Sequence, residues 1–390
     1  MPLKSSPSSS PSSFPYTVMQ VVPELDTGGV EQTVVDVARA VIEAGGRAIV
    51  VSKGGRLEGY LKQIGAVVVP LPVHSKNPYV QFKNYYALRS LIRRERPDIV
   101  HVRSRAPALS ALPAAKAEGV KTVTTYHGIY KAGSGFKRWY NGRMTTADVV
   151  IANSDYTRDH VLRAYDLDPA KVIAVPRGVD LKKFDPAAVE SARLDKLATA
   201  WGIERGDGRT RFLLAGRLTR WKGQTLVIEA LRGLGRSDVQ LILAGDDQGR
   251  SDYTQELRAL AAGLGLETQV KIVGHCSDMP AAYTLCDFAL APSLEPEAFG
   301  RTAVEPQAMG RPVLAAKHGA TAETVEDAVT GWLVTPGDVT AWADALRVAA
   351  LTSAPARAVM GAAGRARVHE RFSMETMCAA TLDIYRSLLT

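Results

Sequence analysis

The sequence predicts an α/β protein built as two doubly wound, Rossmann-like units in tandem. Three observations carry this reading: the length, a series of short Val/Ile/Leu-rich runs, and amphipathic stretches between them. A single hydrophobic core stops growing near ~250 to 300 residues, so a chain of 390 residues divides. In the first half the runs are TVMQVV at 17, RAIVVS at 47, AVVVPL at 66, DIVHV at 98, KTVTTY at 121, DVVIA at 148 and KVIAV at 171. Continuous rather than alternating apolar runs are those of parallel strands covered by helices on both faces. Between them, Val30, Val34, Val37, Ala38 and Val41 mark one face of a helix. After a polar, Pro-bearing stretch at 176–209 the pattern restarts with RFLLA at 211, VQLILA at 239, VKIV at 270, DFALA at 287, PVLAA at 312 and GWLV at 331. The expected units are 16–185 and 186–368, with ligands gathering in a cleft at the carboxyl ends of the strands. The Ser/Pro-rich residues 1–15 read as a disordered tail without the apolar stretch of a secretory signal.

Composition excludes several classes. With 46% hydrophobic and 23% charged residues, no run approaches the ~18 to 20 apolar residues of a membrane helix. Cys276, Cys286 and Cys378 form no CxxC pair, which points to buried thiols in a reducing cytoplasm rather than disulfides or zinc. Neither half carries GxGxxG after its first strand, and no Walker A loop is present, which argues against a dinucleotide dehydrogenase.

The net charge of +8 is uneven: residues 1–180 hold 24 Lys/Arg against 15 Asp/Glu, and residues 181–390 hold 24 against 25. The first half therefore faces an anionic partner: nucleic acid, an acidic substrate or the cytoplasmic leaflet of a membrane. No nucleic-acid motif accompanies the charge, so nucleic acid is not expected. Arg89, Arg93, Arg94 and Arg96 gather near a helix end, and Lys131, Lys137, Arg138 and Arg143 interleave with Tyr130, Phe136, Trp139 and Tyr140. The second group suits an anionic membrane interface and a lipid-linked acceptor; the alternative is a solvated helix with its rings in the core.

Three constellations carry chemistry. In EPEAFGRTAVEPQAMGRPV, Glu297 falls in a loop and Glu305 in the following helix. Phe299-Gly300 forms the turn between them, so the N–H groups of Arg301, Thr302 and Ala303 make an anion site fit for a diphosphate. A carboxylate on each side accepts hydrogen bonds from hydroxyls, one set on a ribose and one on a sugar. In AGRLTRWKG, Arg217 and Lys222 follow a strand end and can neutralise a pyrophosphate in place of a metal, with Arg220 solvated and Trp221 packing. Gly28 and Gly29 let the backbone approach a ligand, and His127 follows a strand end and precedes Gly128. Asp166-Leu167-Asp168 has a metal-binding spacing but lies in a polar turn, and no metal is expected.

Together TGGVEQ, TYHG, IANSDYTRD, VPRGVDLKKFDP, AGRLTRWKG and EAFGRTAVE resemble the family 4 glycosyltransferases of the GT-B fold over about residues 16–370. HVRSRAPALSA and KRWYNGRM further resemble members that build bacterial surface polysaccharide or lipopolysaccharide core. The resemblance implies retaining, metal-independent and cofactor-free sugar transfer from a nucleoside-diphosphate sugar. It implies that Arg217 and Lys222 hold the diphosphate, Glu305 the ribose and Glu297 the sugar, with His127 beside the reacting centre. Gly28, Gly29 and Phe299 are among the donor-binding residues it implies, Gly29 and the Gly300–Thr302 backbone contacting phosphate or sugar oxygens, and Val273-Gly274-His275 walls the base. The acceptor is a lipid-linked or lipopolysaccharide-type glycan, and the enzyme is cytoplasmic, touching the membrane peripherally. The alternatives are nucleotide-sugar epimerisation, a soluble small-acceptor synthase, or an inert nucleotide-sugar-binding subunit. Glu297→Ala and Lys222→Ala are expected to reduce transfer without unfolding the protein. Three positions depart from the family: Arg177 in place of Asn, Pro306 after Glu305, and Gly319-Ala320 in place of Gly-Gly. The stretch 369–390 fits a C-terminal helix that crosses back to the first domain.

Overall fold

The computed structural model describes residues 14–26, 28–130, 133–249 and 251–390. They form two compact units, one of the residues up to Val175 with Met377–Thr390, the other Pro176–Thr376.

In the first unit the strands are β1 (Thr17–Val21), β2 (Arg47–Ser52), β3 (Val67–Pro70), β4 (Ile99–Val102), β5 (Lys121–Tyr126), β6 (Val149–Ala152) and β7 (Val172–Ala174). All pair in parallel in the order β3-β2-β1-β4-β5-β6-β7. The crossovers are helices α1 (Gly29–Glu43), α2 (Glu58–Gln63), α3 (Pro78–Glu95), α4 (Arg105–Ala117), α5 (Gly135–Gly142) and α6 (Asp155–Tyr165). Side chains of Met19, Ile49 and Val100 pack on Leu88, Leu91 and Leu112 of α3 and α4. Each such fully buried aliphatic side chain contributes roughly 1.5–3 kcal/mol.

The second unit has α7 (Ser191–Trp201), then β8 (Thr210–Ala215), α8 (Gln224–Leu234), β9 (Val239–Ala244), α9 (Ser251–Gly263), β10 (Val270–Gly274), α10 (Met279–Thr284), β11 (Phe288–Ala291), α11 (Arg301–Ala308), β12 (Val313–Ala316), α12 (Thr321–Thr324), β13 (Gly331–Val334), α13 (Val339–Leu351) and α14 (Ala354–Arg371). Its parallel sheet runs β10-β9-β8-β11-β12-β13. Alternate residues serve opposite faces, as the two-residue strand period requires: Phe212 and Leu214 pack with Val227, Trp342 and Leu346, while Leu213 and Ala215 pack with Ala303 and Val368. In both sheets the strand order reverses beside the first strand, at β1/β4 and β8/β11, and loops at the carboxyl ends of such pairs are where α/β sheets bind ligands.

All thirteen expected strands form. The segment after Val175 packs with the second unit because a Cβ at Gly178 would lie 2.3 Å from the Met374 Cα, Val179 pairs with Ser373, and Phe184 enters the second core. The closing stretch breaks at Phe372-Ser373 into α14 and α15 (Met374–Leu389). From Met377 onward α15 belongs to the first unit, where buried Tyr385 meets His101 Nδ1 at 2.5 Å and its ring lies 6.1 Å from Phe14. Phe14 is fully buried, so the folded chain begins before the expected end of the tail at 15; residues 1–13 lie outside the described residues.

Candidate functional site

In the second unit, two loops meet because β8 and β11 are neighbours. After β8 the chain turns at Gly216, forms a single 3-10 turn over Arg220–Lys222 and passes Gly223 in the left-handed region at φ 78°. A Cβ on Gly223 would lie 2.3 Å from the Pro292 carbonyl oxygen, so only glycine lets this loop press against the one after β11. The approach delivers Lys222 Nζ to Glu297 Oε1 at 2.7 Å, with both side chains about nine-tenths buried. Ser293 Oγ donates to the same oxygen. Among the described residues nothing donates to Glu297 Oε2. His318 Nε2 donates to the Ser293 carbonyl at 2.8 Å, and Ala320 N donates to the Glu297 carbonyl at 2.9 Å. Gly319, at φ 60°, leaves room for the Glu297 backbone, which a Cβ would approach to 2.8 Å. Gly319-Ala320 thus clamps Glu297.

Arg217 is exposed, and among the described residues its guanidinium has no hydrogen-bond or ion-pair partner. Arg220 is solvated as expected yet pairs with Glu256 at 2.7 Å. Trp221 is half-buried, its ring centroid 4.4 Å from Lys222 Nζ. A cation held over the ring face is an attractive arrangement.

Glu297 lies in the loop and Glu305 in the helix, α11, which begins at Arg301 after Gly300 in the left-handed region and tolerates Pro306 in its interior. No side chain caps α11. Ala303 N–H is spent on the Gly300 carbonyl at 2.9 Å, which corrects the expected trio of free donors to Arg301 and Thr302. Phe299 is a second correction. Its side chain is buried in the core, 6.0 Å from the Phe372 ring, so only its backbone can reach a ligand. Glu305 is buried and engaged: Arg301 Nε donates to Oε1 at 2.8 Å and the Tyr283 hydroxyl to Oε2 at 3.3 Å. Burial, and then the adjacent Glu305 carboxylate, push the Tyr283 phenol well above its ordinary range, so it stays a donor. Beyond β8, β9 and β10 lies a hollow of about 230 Å³ lined in part by Leu218, Asp246, Asp247, Gly274 and exposed His275.

The first unit carries the remaining expected residues. Gly28 is extended and Gly29 opens α1, but the Glu31 carboxylate folds back to within 2.2 Å of where a Gly28 Cβ would stand. A carboxylate therefore sits beside that helix N-terminus. His127 follows β5 with both ring nitrogens shielded from water, and its carbonyl accepts from Asn153 Nδ2 at 3.3 Å. Nearby His101 is held well below its ordinary pKa by burial and then by the positive charge of Arg103. Arg103 is itself buried, donating through Nε and Nη2 to Gln20. Neither residue was singled out from the sequence.

Phe136 and Trp139 on α5 are 73% and 53% exposed, which rejects the alternative that both fill the core. Lys137 and Arg138 are exposed and Arg143 half-buried; Lys131 lies outside the described residues. Arg89 and Arg93 share Glu118, and Arg94 shares Glu95 with Arg47, so two carboxylates offset only part of that cluster's charge. Asp166 ends α6 in the left-handed region and Asp168 accepts from Ala170 N at 2.9 Å, both local turn duties. Among the described residues no group of three His, Cys, Asp or Glu is assembled to hold a metal. Burial pushes the Cys286 thiol up to about 12.

Comparison with known proteins agrees with the two-unit α/β fold. The model of Glycosyltransferase Family 4 matches residues 27–183, and that of Glycosyl transferases group 1 matches residues 198–367. The D-inositol 3-phosphate glycosyltransferase of Saccharomonospora viridis is 33% identical over 252 residues, 62% of this chain and 56% of that protein. The chain thus spans little more than half the length of the curated relatives it matches. A solved glycosyltransferase from Rickettsia africae is 33% identical, with a TM-score of 0.89 over 96% of this chain and 99% of that one. Anabaena HepE, solved with UDP and glucose, is 23% identical with a TM-score of 0.80 over 95% and 100% of the two chains, a likeness of fold alone. With both family models matched in succession and a relative of the same length superposing throughout, the chain belongs to the family 4 glycosyltransferases of the GT-B fold.

Proposed function

We propose that the protein transfers a sugar, with retention and without a metal, from a nucleoside-diphosphate sugar to a lipid-linked or lipopolysaccharide-type glycan. The observation that carries this reading is the Lys222–Glu297 pair, with exposed Arg217 on the same loop as Lys222 and without an ion-pair partner among the described residues. As the bond from the anomeric carbon to the diphosphate breaks, negative charge grows on the leaving oxygens. Arg217, Lys222 and the Arg301 and Thr302 N–H groups stabilise that charge, a role worth several kcal/mol when the donors are preorganised. Glu297, its Oε1 held by Lys222 and Ser293, accepts hydroxyls of the transferred sugar through Oε2. Glu305 accepts ribose hydroxyls, and the hollow beside His275 receives the base. The acceptor oxygen bonds to the anomeric carbon on the face the diphosphate leaves, and its proton passes to the leaving phosphate. The family resemblance assigns His127, in the first unit, to the reaction as well.

The basic, aromatic helix α5, with Lys137, Arg138 and Trp139, and Arg143 directly after it support peripheral contact with an anionic cytoplasmic membrane face. Among the described residues no helix is long and apolar enough to cross a membrane. A second reading, a soluble phosphorylated acceptor, is favoured by the relatives named D-inositol 3-phosphate glycosyltransferase. Incubation in EDTA with UDP-, GDP- and ADP-sugars and either a lipid-linked glycan or a soluble polyol phosphate tests both. A product of retained anomeric configuration on the lipid-linked arm is expected. Product only on the soluble arm selects the second reading, and donor binding without any product points to an inert subunit.

A further inference from the structure

Five of the six exposed aromatic rings among the described residues lie on two helices of the first unit. Tyr79, Phe82 and Tyr86 of α3 are 64%, 60% and 53% exposed. They fall at i, i+3 and i+7, one helical face, opposite the buried Leu88, Leu91 and Ile92. Phe136 and Trp139 of α5 stack at 5.8 Å. The start of α3, α4 and α5 together enclose a mostly apolar cavity of about 780 Å³, lined in part by Pro78, Leu109, Phe136, Trp139 and Tyr140. The other notable lining groups are cations, Lys76, Arg105 and Lys137, and no carboxylate lines it. Arg105 is held in place, stacked 4.0 Å from the Tyr130 ring centroid and donating to Asn141 Oδ1 at 2.8 Å.

The surrounding charge has one sign. Residues 59–147 hold 15 Lys/Arg and three Asp/Glu. Two of the three carboxylates, Glu95 and Glu118, are spent on arginines at or near the far end of α3. Among the described residues Lys76, Lys83, Lys137, Arg138 and Arg143 form no ion pair.

We propose that α3 and α5 form one docking face for an anionic lipid bilayer, and that the cavity between them receives one hydrocarbon chain of a phosphate-bearing lipid. The rings sit at headgroup depth, the lysines meet phosphates, and the chain replaces water against Leu109, Phe136 and Trp139. This rests on the membrane-contacting reading above and extends it to a second helix and a defined lipid subsite.

The test uses the whole protein with vesicles of phosphatidylcholine, alone and with phosphatidylglycerol, and with dodecyl phosphate below its critical micelle concentration. Sedimentation with the anionic vesicles is expected, falling about thirtyfold in Lys76→Gln/Lys137→Gln, about fivefold for each cation, and about tenfold in Phe82→Ser on α3. Calorimetry is expected to show one dodecyl phosphate per chain, no binding of inorganic phosphate, and loss of the site in Leu109→Trp. Should that variant fold poorly, exposed Trp139→Ala tests the same wall and weakens binding. Equal partition to neutral vesicles overturns the electrostatic face, an unchanged Phe82→Ser removes α3 from it, and absence of dodecyl phosphate binding overturns the chain subsite. Nucleotide binding by the same variants stays at the wild-type level, so failure here is separable from failure of the transferase reading.

Discussion

Lys222→Ala compared with Arg217→Ala separates the structural part of the site from the proposed catalytic part. Lys222 and Glu297 lie 2.7 Å apart with side chains 11% and 12% exposed. Removing the ammonium leaves the carboxylate buried with only the Ser293 hydroxyl on the oxygen the two shared. Breaking a buried pair from one side costs about 3–5 kcal/mol, because the desolvated charge left behind has lost its partner. At roughly 2–4 °C per kcal/mol for a unit of this size, the second unit is expected to melt at least ~6 °C lower. Lys222→Ala therefore costs stability as well as transfer, while the protein is expected to stay folded at ambient temperature. Lys222→Met/Glu297→Gln removes both charges and recovers most of the loss, giving a coupling energy of about 2 kcal/mol or more. Exposed Arg217→Ala is expected to stay within about 0.5 kcal/mol of wild type yet lose about 10²- to 10³-fold in kcat. Calorimetric unfolding and steady-state transfer of wild type, Lys222→Ala, Lys222→Met, Glu297→Gln, the double variant and Arg217→Ala make the comparison. A Lys222→Ala protein that melts with wild type, or losses that simply add in the double variant, refutes the buried-pair argument.

Two further perturbations reach groups the sequence did not expose. Gly319→Ala places a Cβ against the Glu297 backbone at φ 60° and is expected to cost about 1–3 kcal/mol and to lower kcat, whereas Gly206→Ala, at φ 83° with open space around it, lowers stability alone. For His101, burial holds the folded-state pKa well below the ordinary histidine value of about 6.5. The unfolded chain takes up a proton below about 6.5 that the folded state refuses, so stability rises with pH up to that value and falls below it. The loss approaches about 1.4 kcal/mol per pH unit for this one group. Denaturation of wild type and His101→Gln between pH 5 and 8 is expected to show a shallower acid limb in the variant, and parallel limbs contradict the assignment.

The strands were legible because each is a continuous apolar run, the pattern of a sheet covered on both faces. Lys222 and Glu297, 75 positions apart, were also legible, since both follow strand ends and β8 and β11 are neighbours at a reversal of strand order. The groups that hold them were not. Ser293, His318 and Gly319 owe their roles to where two loops touch, and only the glycine, beside a strand end, carried a local signal. Phe299 was misassigned because its backbone makes the turn while its side chain follows the core. His101 and Tyr385 are 284 positions apart, and nothing local announces that a late helix returns to cover β4. The arginines from Arg89 to Arg96 marked the end of α3, but nothing marked that Tyr79, Phe82 and Tyr86 face solvent, since Leu88 and Leu91 on the same helix are equally apolar.

The central claim is a diphosphate clamp built from Arg217, Lys222 and the first turn of α11. Its most direct test is the thermal midpoint of wild type and Arg217→Ala in EDTA with UDP, GDP, ADP and their sugar conjugates, since a ligand that binds only the folded state raises the midpoint. One nucleotide series is expected to stabilise wild type without magnesium, and Arg217→Ala to lose most of the shift while melting normally on its own. Stabilisation that requires magnesium, or that survives unchanged in Arg217→Ala, contradicts it.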